Sequence, residues 1–456
     1  MADLKKIQEI YFIGIGGIGM SALARYFRLQ GKNVTGYDKT ETALTRSLGN
    51  EGIRVSYADD PALIPKDIQL VIYTPAIPKE NLIFIYYREH GYEMMKRSEV
   101  LGLITEDSLN VCVAGTHGKT TISTMIAHIL RDSGVGSNAF LGGISVNYNT
   151  NFWSDKNNIC VVEADEYDRS FLKLHPDIAV ISSMDADHLD IYGTGEAVKE
   201  AFIAFSAKIK AGGTLVQKLG LPIPRPAEGI QQLSYHLHDH SADVYTKNLR
   251  IQSGNYVFDV EGKEGILKDV QLNVGGWHNV ENALAAITAC RKLGLSGEKI
   301  IPALHNFRGV RRRFEYHVQN ERVVYIDDYA HHPRELEVLI SSARELFPDK
   351  KLVVVFQPHL FSRTRDFAEG FANVLDKSDQ VILLPIYPAR ELPIEGISSF
   401  TILDKMVKAE RQMLNKKEVL LWAGSIQPEE KIVLITAGAG DIDELVKPVT
   451  DLLQTK

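Results

Sequence analysis

Cysteine is scarce. Three residues, Cys112, Cys160 and Cys290, stand far apart in 456, each in an apolar strand-like or helical context, so a disulfide framework is not expected and reduced core thiols are. Long apolar runs are missing as well: no stretch approaches the length of a membrane span, and no membrane insertion is expected. Basic residues are not in excess. With 51 Lys and Arg against 58 Asp and Glu, the net charge of -7 gives no reason to expect a nucleic-acid partner, while leaving room for a local basic pocket that takes a small anion. There is no repeat of solenoid period and no low-complexity tract. Met1 to Glu9 is charged and polar and leads straight into a strand, so neither a secretory nor an organellar presequence is expected and the compartment implied is the cytoplasm.

What is present is length, enough apolar content and a recurring α/β pattern. At 456 residues and 45% hydrophobic content the chain can bury three separate cores. Its organising stretch is Val111 to Thr121, read as an apolar strand, a glycine turn and the start of a helix that runs through Ile122 to Leu130. The glycines let the backbone approach an anion, consecutive amides at the helix N-terminus point at it, Lys119 adds a positive charge, and the Thr120 hydroxyl suits Mg2+. Gly115, Thr116, His117, Gly118, Lys119, Thr120 and Thr121 are therefore the candidate ATP loop. The full Walker pattern has a glycine five residues before Gly118, where this chain has Val113, so a shorter turn is expected.

A second glycine loop comes earlier. Glu9 to Ile13 reads as a strand entering Gly14-Ile15-Gly16-Gly17-Ile18-Gly19-Met20, followed by a helix from Ser21 to Leu29 and a strand ending at Asp38. This pattern seats a pyrophosphate on a helix N-terminus, with an acid after the second strand for a ribose or base. NAD and a UDP group present the same pyrophosphate to it. Gly14, Gly16, Gly17, Ile18, Gly19 and Asp38 are its candidates, joined by Thr74 and Ala76 in the loop after a strand at Leu70 to Tyr73. Arg97 and Ser98 fit a domain linker.

Acid gathers in the central segment. A strand at Asn158 to Val162 delivers Glu163-Ala164-Asp165-Glu166-Tyr167-Asp168, and a strand at Ile178 to Ser182 leads to Asp185, Asp187, His188 and Asp190. Carboxylates on strand tips beside a phosphate loop are placed to hold a divalent metal, Glu163 best of all, with His188 tolerable as one ligand in an oxygen-rich shell. Mg2+ suits these donors, with Mn2+ as the alternative. Gly275 to Ala286 opens a helix with His278, Asn279 and Asn282 on its N-terminal side; asparagine can meet an adenine edge, and Asn279 serves equally as a cap. Arg311, Arg312 and Arg313 are either a solvated linker or a clamp for phosphate or carboxylate.

From residue 314 onward, strands at Val323 to Ile326, Leu352 to Phe356, Val381 to Leu384 and Ile432 to Thr436 alternate with helical stretches. The polar groups after them, Asp327 to Pro333, Gln357 to Arg365, Tyr387 to Glu391 and Ala437 to Asp441, would form one ligand-facing rim at the carboxyl ends of parallel strands.

The fold expected is α/β in three domains: an N-terminal Rossmann-like domain (1–108), a central P-loop ATPase-type domain (109–313) and a C-terminal Rossmann-like domain (314–456). In this order the chain resembles the Mur ligase family, through Gly14 to Met20, Gly115 to Thr121, Glu163 to Asp168, Asp185 to Tyr192, His278 to Ala286, Arg312 to Glu315, Asp327 to Pro333, Gln357 to Thr364 and Tyr387 to Glu391. The resemblance implies an ATP-dependent carboxylate-amine ligase of peptidoglycan precursor synthesis. ATP would phosphorylate the carboxylate of UDP-N-acetylmuramate, the amine of L-alanine would attack the acyl phosphate, and a tetrahedral intermediate would collapse to amide, ADP and phosphate. By the same resemblance Lys119 steadies the γ-phosphate, Thr120 binds one Mg2+, and Glu163 and His188 hold a second. His278, Asn282 and Arg313 contact ATP, the Gly14 to Gly19 loop carries the UDP pyrophosphate, and Tyr329, His331, His359 and Arg363 approach the amino acid and the reacting centre.

Two positions depart from the family pattern. Leu360 stands where relatives often have arginine after Pro358-His359, so the carboxylate clamp rests on Arg363 alone or recruits Arg390, and Tyr167 stands where many have serine. A rival inside the family joins a recycled murein tripeptide in place of alanine, and its C-terminal domain lacks the Gln357 to Thr364 type of segment. An NAD-dependent oxidoreductase built on Gly14 to Gly19 is a distant rival that leaves the phosphate loop and acid cluster unexplained. A non-catalytic nucleotide-binding module has no use for an intact Lys119, Thr120, Glu163 and His188. A monomer or homodimer is expected, with domain closure over the ligands.

Overall fold

The computed structural model describes residues 4–454 other than 187, 188, 390, 409 and 428. The N-terminal sheet holds β1 (Glu9–Ile13), β2 (Asn33–Tyr37), β3 (Arg54–Ser56), β4 (Leu70–Tyr73) and β5 (Met94–Lys96), all parallel in the order β3-β2-β1-β4-β5. Four of the five β1 residues are buried, as expected of a parallel strand covered on both faces. Ile10 and Phe12 face Leu23 and Phe27 of α1 (Ile18–Leu29), while Tyr11 and Ile13 face Ile83 and Tyr87 of α3 (Leu82–Glu89). Between α1 and α3 lies α2 (Ala43–Asn50). The strand order reverses direction between β1 and β4, so the loops after them, at Gly14 and Thr74, flank the crevice where such sheets take ligands.

Next come α4 (Arg97–Thr105), β6 (Leu109–Ala114), α5 (Lys119–Asp132), β7 (Asn138–Ser145), β8 (Thr150–Trp153), β9 (Ile159–Glu163), β10 (Ile178–Ile181), β11 (Thr214–Lys218), β12 (Gln231–His236), β13 (Val244–Gln252), β14 (Asn255–Gly262) and β15 (Leu267–Leu272). The second sheet runs β15-β14-β13-β12-β11-β10-β6-β9-β7-β8. β6 is central, parallel to β9 and β10, and β8 closes one edge as an antiparallel hairpin with β7. The third sheet contains β16 (Glu315–Gln319), β17 (Val323–Asp328), β18 (Lys351–Phe356), β19 (Gln380–Leu383), β20 (Glu410–Met413) and β21 (Ile432–Ala437), in the order β16-β17-β21-β18-β19-β20 with only β16 antiparallel.

The expected α/β class in three sheet-centred parts is therefore what the chain adopts. Residues 1–247, 259–268 and 281–304 form one compact unit, and 248–258, 269–280 and 305–456 form another. Arg97 and Ser98 lie between the first and second sheets, and the segment is helical: they open α4, whose first turn has Glu99 folded back to accept the Lys96 N–H at 2.9 Å. The three cysteines are buried free thiols, and burial pushes Cys160 up to about 12, which leaves it inert. Among the described residues no helix is long and apolar enough to cross a membrane.

Candidate functional site

The phosphate loop joins the end of β6 to the start of α5. Gly118 caps α5 in the left-handed region at φ 84°, and a Cβ there would stand 2.6 Å from Asn282 Oδ1, so conformation and space both require glycine. The end of β10 braces the loop: Thr116 Oγ1 lies 2.8 Å from Ser183 Oγ and accepts the Asp185 N–H at 3.1 Å, and His117 donates its N–H to Ser183 Oγ at 2.8 Å. Lys119 Nζ donates to the Gly115 carbonyl at 2.8 Å and lies 2.7 Å from the Glu166 carboxylate, which is 1% exposed. The lysine charge is thus held inside the loop by a buried acid. Thr121 is buried in the first turn.

The acid cluster divides its work. Thr120 Oγ1 donates to Glu163 Oε1 at 3.0 Å, and the Gly142 N–H donates to Glu163 Oε2 at 2.9 Å. A Cβ on Gly142 would overlap that carboxylate. The other acids have basic neighbours: Asp165 lies 3.9 Å from Arg97 and Asp168 3.4 Å from Lys96. One hydroxyl and one carboxylate, fixed side by side, are hard oxygen donors of the kind Mg2+ takes. His188 lies outside the described residues.

At the first glycine loop, Gly14 (φ 85°) and Ile15 both donate their N–H groups to the Tyr37 carbonyl, which locks the turn after β1. Gly17 caps α1, Ile18 opens it, and Gly19 lies so near Arg97 that a Cβ would stand 2.8 Å from Nη1. Asp38 closes on the loop itself, its Oδ2 accepting the Gly16 N–H at 2.7 Å. Thr74 is half-buried and Ala76 exposed just past β4, and a Cβ on Gly14 would stand 3.0 Å from Thr74 Cγ2.

In the second unit, β17, β21, β18 and β19 end in register at Asp328, Ala437, Phe356 and Leu383, so the loops that follow share one edge. His359 stacks on Tyr387 at 18° with ring centroids 5.8 Å apart, His331 stands 6.1 Å from it, and Arg363 Nη1 is 3.3 Å from His359 Nδ1. Burial, with Arg363 and His331 adding to it, holds the His359 imidazole below its ordinary value. Tyr329 is exposed and meets His331 edge-on at 5.3 Å. His332 is structural, capping the helix Pro333–Leu346. Leu360 sits at φ 73°, ψ 136°, a strained conformation for leucine, next to His359. Arg390 lies outside the described residues.

The remaining candidates have these surroundings. Arg312 is half-buried, with Nε 3.1 Å from Asp327 Oδ2. Asp327 belongs to a cluster with Glu315 and His317 whose ligating atoms lie within 4.8 Å of one another, and Glu315 accepts the Arg312 backbone N–H at 2.8 Å. Asn279 is buried with Nδ2 donating to the Gly275 carbonyl at 2.6 Å, whereas His278 and Arg313 are exposed. Asn282, buried, stays at the phosphate loop through Gly118.

Sequence comparison bears on the whole chain. Family models match in chain order: the Mur ligase family catalytic domain over residues 9–108, the Mur ligase middle domain over 113–290, and the Mur ligase glutamate ligase domain over 312–440. A UDP-N-acetylmuramate–L-alanine ligase from Flavobacterium johnsoniae is 48% identical over 99% of both chains. The chain belongs to the Mur ligase family. A second ligase of that description, from Parabacteroides distasonis, is 48% identical over 99% of this chain and 98% of its own. Among solved Mur ligase structures, the UDP-N-acetylmuramate–alanine ligase of Thermotoga maritima superposes with a TM-score of 0.83 at 28% identity, covering 98% of this chain and 99% of that one. A murein peptide ligase from Psychrobacter arcticus reaches 0.68 at 20% identity over 98% and 99%, a likeness of fold alone. As a Mur ligase, the chain owes its phosphate loop to residues legible in the sequence. Glu166, which the acid cluster marks without indicating its partner, holds Lys119, and Gly142 holds Glu163 from a position that no motif signals.

Proposed function

We propose that this chain joins L-alanine to the carboxylate of UDP-N-acetylmuramate at the expense of ATP, in the cytoplasm, as a step of peptidoglycan precursor synthesis. The observation that carries the reading is 48% identity over 99% of the chain to a ligase of that description. The loop geometry supports it: Lys119, Thr120 and Glu163 converge at the end of β6.

In this reading a carboxylate oxygen of the substrate attacks the γ-phosphorus of ATP, the bond to the β-phosphate oxygen breaks, and ADP leaves. Lys119 passes from Glu166 to the phosphate, where its charge offsets the repulsion between two anions. Thr120 and Glu163, with His188, are the residues that would hold Mg2+, which supplies further charge neutralisation when bound. The alanine nitrogen then attacks the acyl carbon. His359, kept neutral, takes the proton the nitrogen must lose, Arg363 pairs with the alanine carboxylate, and Tyr329 and His331 line the approach. Phosphate departs and the amide remains. Gly14 to Gly19 with Thr74 and Ala76 hold the UDP end, Asp38 bracing the turn through Gly16, and His278, Asn282 and Arg313 serve ATP.

The test is phosphate release from ATP and Mg2+ with UDP-N-acetylmuramate, comparing L-alanine, murein tripeptide and no amine, with product mass recorded. Release with L-alanine and a product heavier by one alanine residue is expected. Release with the tripeptide alone would transfer the assignment to a recycling ligase.

A further inference from the structure

The hairpin β7–β8 stands between the two glycine loops, and one buried amide ties it to the first. Asn151 in β8 is 0% exposed. Its Nδ2 donates to the Ile18 carbonyl at 2.5 Å and to Ser21 Oγ at 3.1 Å, and its Oδ1 accepts from Arg25 Nη1. All three partners lie on α1, which begins at the glycine loop. Arg25 is itself pinned by a bidentate pair with Glu51 at 2.7 and 2.6 Å, so the guanidinium that grips Asn151 has one orientation. Around the amide, Tyr26 meets Phe152 edge-on at 6.1 Å and Phe140 at 5.6 Å. On its far side the hairpin does something different. The β7–β8 register shifts between Phe140 and Ser145, and within that irregularity Gly142 donates its N–H to Glu163. The same two strands thus grip the first turn of the UDP loop helix and the carboxylate assigned to the metal.

We infer that Asn151 is a positioning residue that couples occupancy of the Gly14 to Gly19 loop to the placement of Glu163. The inference rests on the functional reading above. A buried amide is costly to leave unmade at either end, so Asn151 moves with α1, and the hairpin moves with Asn151. A pyrophosphate that tightens the Gly14 to Gly19 turn therefore draws on the strand that orients Glu163. Because such coupling is reciprocal, metal at Glu163 tightens the UDP loop by the same factor.

The experiment uses the full chain with Mn2+ as the probe, read by electron paramagnetic resonance in the presence of a non-hydrolysable ATP analogue, with and without UDP-N-acetylmuramate. In the wild type the UDP compound tightens Mn2+ by about fivefold or more, the lower end of usual coupling. Asn151→Leu reduces that factor to within about twofold of unity, while each ligand alone still binds. Asn151→Asp, which keeps the Arg25 contact and loses the two N–H donors, does the same and serves if the leucine variant does not fold. Phe152→Leu loosens the same hairpin, leaves the amide in place, and retains the coupling. Undiminished coupling in both Asn151 variants, no coupling in the wild type, or equal loss in Phe152→Leu overturns the inference. Failure of the wild type to bind UDP-N-acetylmuramate at all is a different result, and it removes the functional reading together with the inference.

Discussion

His359 lies against an aromatic ring and an arginine, and that setting decides its protonation. Burial first, then Arg363 and His331, hold its pKa below the ordinary 6.5, so it is neutral at pH 7 and carries the lone pair that the proposed reaction needs for the amine proton. The acidic limb of kcat/KM for L-alanine should accordingly fall below pH 6.5, and His359→Gln should remove that limb while lowering kcat roughly 10²- to 10⁴-fold. A limb at or above the ordinary histidine value contradicts the assignment. Asp328 gives a stability prediction. Burial raises its carboxyl from 3.8 to about 6, although the Phe314 and Ala330 amides donate to it. Between those values the folded state binds the proton and the unfolded chain does not. Its contribution is therefore fully present below pH 4 and lost as pH rises to 6, a change of about 3 kcal/mol. Denaturant midpoints measured across this window should show Asp328→Asn gaining on the wild type as pH rises, and a constant difference would refute the account. At this scale the sequence marks residues whose neighbours are near in the chain. Lys119, Thr120 and their glycines are legible because one turn brings them together. Glu166 was visible as an acid, but its pairing with Lys119 spans 47 positions and depends on the parallel placement of β6 and β9.

Long strands bounded by turns were legible because burial on both faces writes an unbroken apolar run, as in β6, β18 and β21. The hairpin β7–β8 was not. Two glycines interrupt the alternation of Asn138 to Ser145, and Thr150 to Trp153 is only four residues long, so neither strand shows a period. Helix α4 escaped for a related reason: Lys96 precedes it where Ser, Thr, Asp or Asn would have announced a start. The hairpin is where this element matters for chemistry. Gly142→Ala would push a methyl group into the Glu163 carboxylate, so activity at limiting Mg2+ should fall roughly 10- to 100-fold, as when an outer partner of a metal ligand is lost. Raising Mg2+ should restore part of it, and Mg2+-independent loss would show that the glycine serves the fold alone.

The whole molecule keeps its two glycine loops on different sheets, one after β1 and one after β6. Lys119→Ala should therefore abolish turnover and leave UDP-N-acetylmuramate binding within about twofold of the wild type by calorimetry, since one lysine removes transition-state charge and no part of the other loop. Equal loss of both would unseat the two-site assignment. The order of three α/β parts was legible from motif order; the division into two compact units was not, because it passes through β13, β14, β15 and the helix Trp277–Lys292, which no local pattern interrupts. In the proposed reaction ATP activates the substrate carboxylate by phosphorylating it. UDP-N-acetylmuramate labelled with ¹⁸O in that carboxylate, turned over with ATP, Mg2+ and L-alanine, should pass one ¹⁸O to each phosphate released; unlabelled phosphate alongside amide product would contradict the acyl-phosphate route.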